Sequence, residues 1–165
     1  MQIARVKRLF TAARRNGLEF LLELIPSKVG PVDDHTTATL IQTFYDAGVF
    51  PDWWKLEPFK TDIAWQNAVD VITRNDPRTR GIVVLGLDAP EDELVASFAL
   101  AAKQPLVKGF AVGRTIFGDA ARAWLKGEIS DAEAVTQMAD RYMKPVSPEQ
   151  REVVTWVRKN LGKSS

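Results

Sequence analysis

Four apolar runs, each followed by a stretch with helical spacing, constrain this chain more than any other feature. They are LEFLLELIP (Leu18 to Pro26), DWWKLEPF (Asp52 to Phe59), GIVVLGL (Gly81 to Leu87) and LVKGFAVG (Leu106 to Gly113). Strand and helix in strict alternation predict a parallel sheet joined by right-handed crossovers. Near-continuous apolar runs suit parallel strands covered on both faces. A closed (β/α) barrel needs eight strands and about 250 residues. The chain has 165. Three architectures therefore stand open: an open doubly wound sheet, a half-barrel that pairs with another copy, and part of a longer protein.

The helices are marked by their ends. Ile3, Val6, Leu9, Phe10 and Ala13 fall on one helical face, and Gly17 is placed to end that helix. Asp33 or Asp34 can cap a helix running to about Gly48. Thr61 or Asp62 begins another, with Ile63, Val69 and Ile72 inward, closed by Asp76-Pro77. Asp88-Ala-Pro starts a third crossover helix, and three more are expected around GDAARAWLKG, SDAEAVTQMADRYM and SPEQREVVTWVRKNL. The length suits a single α/β domain with one core. Within it a core of residues 18–127 is followed by a helical extension, 128–165.

Composition removes several kinds of chemistry. There is no cysteine, which excludes disulfides, thiolate ligands and a cysteine nucleophile, and the single histidine, His35, rules out a histidine-rich zinc site. The net charge of +1 carries no block of like charge that would mark a nucleic-acid or membrane surface. The basic N-terminus lacks the h-region of a secretory signal, and no apolar run approaches the roughly 20 residues of a membrane span. A cytoplasmic protein without nucleic-acid or membrane partners is expected.

The charged residues inside the apolar runs are the candidates for chemistry. Alternate strand residues share a face, so Leu21, Glu23 and Ile25 form one set and Trp53, Lys55 and Glu57 another. At the C-terminal ends of barrel strands such sets converge on one mouth. A lysine in an apolar, tryptophan-walled cavity suits a Schiff-base nucleophile, for which lowering an amine pKa from about 10.4 to about 7 costs roughly 4 kcal/mol. A carboxylate two residues away on the same face stabilises the ammonium instead. The alternative is a buried ion pair of Lys55 with Glu57 or Glu23. Gly113-Arg114, with Gly118 before the next helix, offers backbone amides and a cation for phosphate, or else only a tight turn and a solvated arginine. Lys108, inside the fourth run, is a second candidate amine; Lys28 is a further cation after the first run, and Gly86 is the penultimate residue of the third. Asp88 suits a helix cap and His35 a surface or capping role. Trp65, Trp124 and Trp156 read as core, and Trp53 and Trp54 must face opposite sides.

FLLELIPSK, DWWKLEPF, GIVVLGLDAPEDELVASFALAA and VKGFAVGRTIFGDAARAWLKGEISDAEAV, in that order, resemble the C-terminal half of the aldolase-like domain fused to bacterial 5-dehydro-2-deoxygluconokinase. More distantly, they resemble the class I tagatose-1,6-bisphosphate aldolases, which are (β/α)8 barrels. The resemblance covers most of residues 18–143. It implies an α/β fold of four βα units equivalent to the second half of a barrel. It also implies cleavage of 2-deoxy-5-keto-gluconate 6-phosphate or a related ketose phosphate, in inositol or carbohydrate catabolism, with no metal or other cofactor. Lys55 is then the Schiff-base lysine, Glu23 the acid/base glutamate and Glu57 its companion. Gly113 and Arg114 would hold phosphate, within a wider substrate-binding set that includes Lys108, Lys28 and Gly86. The first four barrel strands and the kinase domain are absent from this sequence. Pairing into a homodimer or higher homo-oligomer is one expectation; a phospho-sugar binding or assembly domain is the non-catalytic alternative.

Overall fold

All four expected strands form, each shorter than its apolar run. The computed structural model describes residues 2–86, 98–111 and 113–143. These fall into two units, one holding 2–86 with 98–111 and the other 113–143. The first unit runs α1 (Gln2–Arg15), β1 (Leu21–Leu24), a 3-10 turn (Pro26–Lys28), α2 (Thr36–Asp46), β2 (Trp53–Leu56), α3 (Asp62–Asn75), β3 (Gly81–Leu85) and β4 (Val107–Ala111). The strand β1 stops at Leu24 because Ile25 leads into the 3-10 turn, and Pro26 has no N–H to give a ladder.

The strands pair in parallel in the order β1-β2-β3-β4. When each new strand joins the same advancing edge, right-handed crossovers leave every connecting helix on one side. The core follows this rule. Leu22, Leu24, Trp54, Leu56, Ile82 and Val84 point to one face and pack against Ile41 and Phe44 of α2 and Trp65, Ala68 and Ile72 of α3. Leu21, Glu23, Trp53, Lys55 and Val83 occupy the other face and keep some exposure, which reaches 47% at Leu21. Trp53 and Trp54 thus separate as strand alternation requires. Trp54 is fully buried and its Nε1 donates to the Tyr45 hydroxyl at 3.0 Å, while the Trp53 Nε1 donates to Glu19.

A bulge interrupts the β3–β4 ladder. Val107 lies opposite Ile82 and Gly109 opposite Val83, which makes Lys108 the extra residue. Gly81 sits at φ +135°, and a Cβ there would meet the Leu106 carbonyl at 2.5 Å and Lys108 Cγ at 2.7 Å. Only glycine fits at that point.

The helix ends match local chemistry. Gly17, at φ 66°, closes α1, and the Thr61 hydroxyl accepts the Ala64 N–H at 3.1 Å to cap α3. The Asp33 carboxylate accepts the N–H groups of His35 and Thr36, although α2 itself begins only after His35. Two expected apolar faces are narrower than their spacing suggests. Val6 and Phe10 of α1 pack on the core, whereas Leu9 is 63% exposed; in α3, Ile72 is buried and Ile63 is 61% exposed. Arg14 ties α1 to the sheet by binding Asp52 at 2.7 Å and the Phe50 carbonyl at 2.9 Å. Asp52 in turn accepts the Phe20 N–H at 2.7 Å.

In the second unit α4 (Arg114–Leu125) packs on α5 (Asp131–Met143). Ser130 and Glu133 form a reciprocal capping box at the start of α5. Trp124, expected in a core, is 47% exposed, and its Nε1 donates to Asp131 at 2.6 Å. The helix after Asp88, apart from a helical segment at 98–101, and the last helix with Trp156 lie outside the described residues.

Trp54→Ala should lower stability by about 3–5 kcal/mol, read from urea unfolding, because it empties a fully buried site. At Asp52 burial works to raise the carboxyl pKa, but the Phe20 N–H and the Arg14 guanidinium outweigh it and the net shift is downward from 3.8. Stability from that carboxylate is therefore present above the unfolded pKa and is lost as pH falls through the lowered value. An Asp52→Asn variant should lose less stability than the parent on acidification over that window, measured by unfolding at each pH.

Candidate functional site

The parallel register of β1 and β2 sets Glu23 directly opposite Lys55. Both are on the sheet face opposite the one against which α2 and α3 pack, and the Lys55 Nζ lies 2.8 Å from Glu23 Oε1. Their side chains are 40% and 26% exposed, respectively, so both remain within reach of a solute. Of the two ion pairs that spacing allowed, the structure forms the one across strands.

Glu57 takes a different direction. The strand ends at Leu56 and Pro58 follows, so Glu57 leaves the sheet instead of continuing the face of Lys55. Its side chain is buried, with the residue 5% exposed, and binds the turn after β1. The Ser27 N–H donates to Glu57 Oε2 at 3.3 Å and the Ser27 hydroxyl donates to Oε1. The two carboxylates expected around Lys55 are thus divided: Glu23 holds the ammonium and Glu57 holds Ser27. Buried polar groups need such partners, since an unsatisfied one costs about 1–3 kcal/mol.

The other candidates disperse. Lys28 is exposed at the end of the 3-10 turn, next to Ser27. Lys108 lies at the opposite end of the sheet: its Nζ donates to the Pro105 carbonyl at 2.7 Å, and its stem runs along Gly81 at the start of β3. The bulge that turns it there left no mark on the sequence. Gly86 is buried directly after β3. Gly113 and Arg114 belong to the second unit, where the Gly113 carbonyl accepts the N–H of Ile116 at 2.8 Å and Arg114 opens α4. His35 stands at the start of α2, its Nδ1 3.1 Å from the Asn67 amide nitrogen. Asp88 lies outside the described residues.

Sequence reasoning missed Ser27, because a serine in a Pro-Ser-Lys turn carries no motif, and its partner is 30 residues away. It also missed a cleft of about 440 Å³ walled by Phe10, Arg14, Phe50, Asp52, Asp76 and Arg78. That cleft lies by the N-terminal ends of the strands; Arg14 and Asp52 in its wall form the link already described, and Asp76 accepts the Arg78 N–H at 3.0 Å. Among the described residues no group of His, Asp and Glu is arranged to hold a metal, and no helix is long and apolar enough to cross a membrane.

The chain belongs to a bacterial family whose description reads "Uncharacterized protein conserved in bacteria (DUF2090)"; the family model matches residues 1–152. No curated protein matches it.

A solvent-reached ion pair contributes little to stability, typically about 0–1 kcal/mol. Glu23→Gln should therefore shift the stability measured by urea unfolding by less than about 1 kcal/mol. A larger loss would mark the pair as a structural element of the sheet.

Proposed function

We propose that this member of the DUF2090 family is a carbon–carbon lyase of the class I aldolase type, acting on a ketose phosphate through a Schiff base on Lys55. One observation carries the reading. A lysine and a carboxylate stand in register at 2.8 Å on the sheet face opposite α2 and α3, and neither belongs to the core cluster. The resemblance of the four strand motifs to the aldolase-like domain of inositol catabolism adds the substrate class, for which 2-deoxy-5-keto-gluconate 6-phosphate is the model.

The chemistry runs through those two groups. The Lys55 ammonium passes a proton to Glu23, and the free amine adds to the substrate carbonyl. Loss of water from the carbinolamine gives an iminium, with Glu23 returning the proton to the departing oxygen. The iminium then accepts the electron pair of the breaking carbon–carbon bond, while Glu23 takes the proton of the hydroxyl that becomes the aldehyde. Protonation of the enamine and hydrolysis release dihydroxyacetone phosphate and the amine. Lys55 acts as nucleophile and Glu23 as the proton carrier.

Four strands leave a barrel half built. We assign the remaining half to a second chain, with the first copy's β4 edge meeting the second copy's β1 edge and the reverse, under a two-fold axis along the barrel. That arrangement keeps every pairing parallel and covers the face bearing Lys55.

A second reading draws on the same distance. An ion pair at 2.8 Å is also what a phospho-sugar binding domain would keep if Lys55 stayed protonated. Borohydride reduction in the presence of dihydroxyacetone phosphate separates the two. The aldolase reading expects a reduced adduct mapped to Lys55 by peptide mass spectrometry and lost in Lys55→Ala. Ligand binding with no adduct would leave only the binding domain. Light scattering on the same sample should give twice the chain mass, and a stable monomer would remove the two-fold barrel.

A further inference from the structure

We propose that Glu57 is a positioning residue for the Lys55 centre, acting through Ser27, and that it transfers no proton. The inference rests on the aldolase reading for its catalytic consequence and on the hydrogen bonds alone for its structural part.

Three observations carry it. First, Glu57 is 5% exposed and immediately follows the strand that bears Lys55, so its side chain is enclosed rather than turned to the open face. Second, both of its oxygens are engaged by one residue: Ser27 gives its N–H to Oε2 at 3.3 Å and its hydroxyl to Oε1. Third, Ser27 belongs to the turn that follows β1, the strand that bears Glu23. A single side chain thus joins the C-terminal ends of the two strands whose register creates the Glu23–Lys55 pair.

The physical effect is to hold those ends against shear. Past Leu24 and Leu56 the β1–β2 ladder ends, and the two chains leave by different routes, one through Pro26 and the other through Pro58. Neither proline can donate a backbone hydrogen bond. The Ser27–Glu57 contact supplies a link where the ladder cannot continue. It also commits the second carboxylate elsewhere, leaving Glu23 as the carboxylate paired with Lys55. Misplacement of reacting groups by about 1 Å can cost about a hundredfold in rate, so a clamp at this point bears on turnover without touching substrate.

The test uses the full chain and its Glu57→Gln, Glu57→Ala and Ser27→Ala variants, with two readouts. The first is the rate of borohydride trapping of dihydroxyacetone phosphate on Lys55; the second is exchange of the backbone amide hydrogen at position 27, which every variant retains. Glutamine retains an oxygen for the N–H and an amide for the hydroxyl. Glu57→Gln should keep trapping within about threefold of the parent, whereas proton transfer by Glu57 predicts a loss of roughly 10²- to 10⁴-fold. Glu57→Ala should slow trapping and speed exchange at Ser27 by about tenfold, the equivalent of one hydrogen bond. Ser27→Ala should move both readouts in the same direction. The proposal is overturned if Glu57→Gln loses trapping as fully as Glu57→Ala, or if exchange at Ser27 is unchanged in Glu57→Ala. Absence of any adduct in the parent overturns the aldolase reading and the catalytic consequence together, and the exchange measurement then decides the clamp by itself.

Discussion

The structure depends on one constraint, the consecutive order of four parallel strands. Where each strand is added beside the last, right-handed crossovers accumulate the connecting helices on one side, and among the described residues α2 and α3 pack with the core there. The two faces of the sheet then have different chemistry. On the core face Trp54, Leu56 and Ile82 are fully enclosed, and a charge among them would carry a desolvation cost of several kcal/mol. On the other face Glu23 and Lys55 meet at 2.8 Å with water still reaching both. A lysine in the middle of a tryptophan-rich strand is therefore explained by topology before any function is invoked: it occupies the alternate position, on the side the helices leave.

Local signals were legible in the sequence. The β-branched run at Gly81, the opposed orientation of Trp53 and Trp54, the cap at Thr61 and the stop at Gly17 each depend on residues within one turn or one strand of each other. The cross-strand pair was half legible, since alternation marked Glu23 and Lys55 as inward candidates but gave no register to choose between Glu23 and Glu57 as the lysine's partner. Strand alternation extended one residue too far at Glu57, because nothing in the spacing shows that the ladder ends at Leu56. The position of Lys108 was hidden for a similar reason. The bulge that displaces it is set by close packing of β4 against Gly81, a contact between residues 27 apart in the chain.

Composition narrows the chemistry further. Without cysteine, and with its single histidine engaged near Asn67, the first unit has amines, carboxylates and hydroxyls as its reactive groups. Of these, Lys55 and Glu23 are brought together by backbone register on the open face, while Glu57 and Ser27 are drawn together beside them. The description of the family names no chemistry, so the functional reading stands on this geometry and on the likeness of the strand motifs.

Register is also what links the candidate site to the core. In a parallel sheet a slip of one residue turns every side chain to the opposite face. Moving β2 by one position would place Lys55 among Ile41, Trp65 and Ile82 and expel Trp54 or Leu56 to water. The apolar face therefore fixes the register far more strongly than the ion pair could, given the small stability expected of a solvent-reached pair. Two further features hold the neighbouring strands: the absence of a Cβ at Gly81, which admits Lys108 and the Leu106 carbonyl, and the Ser27–Glu57 contact beyond the end of the ladder. The position of the Glu23–Lys55 pair is in this sense set by residues that never approach it, because burial on one face of β2 decides what the other face presents.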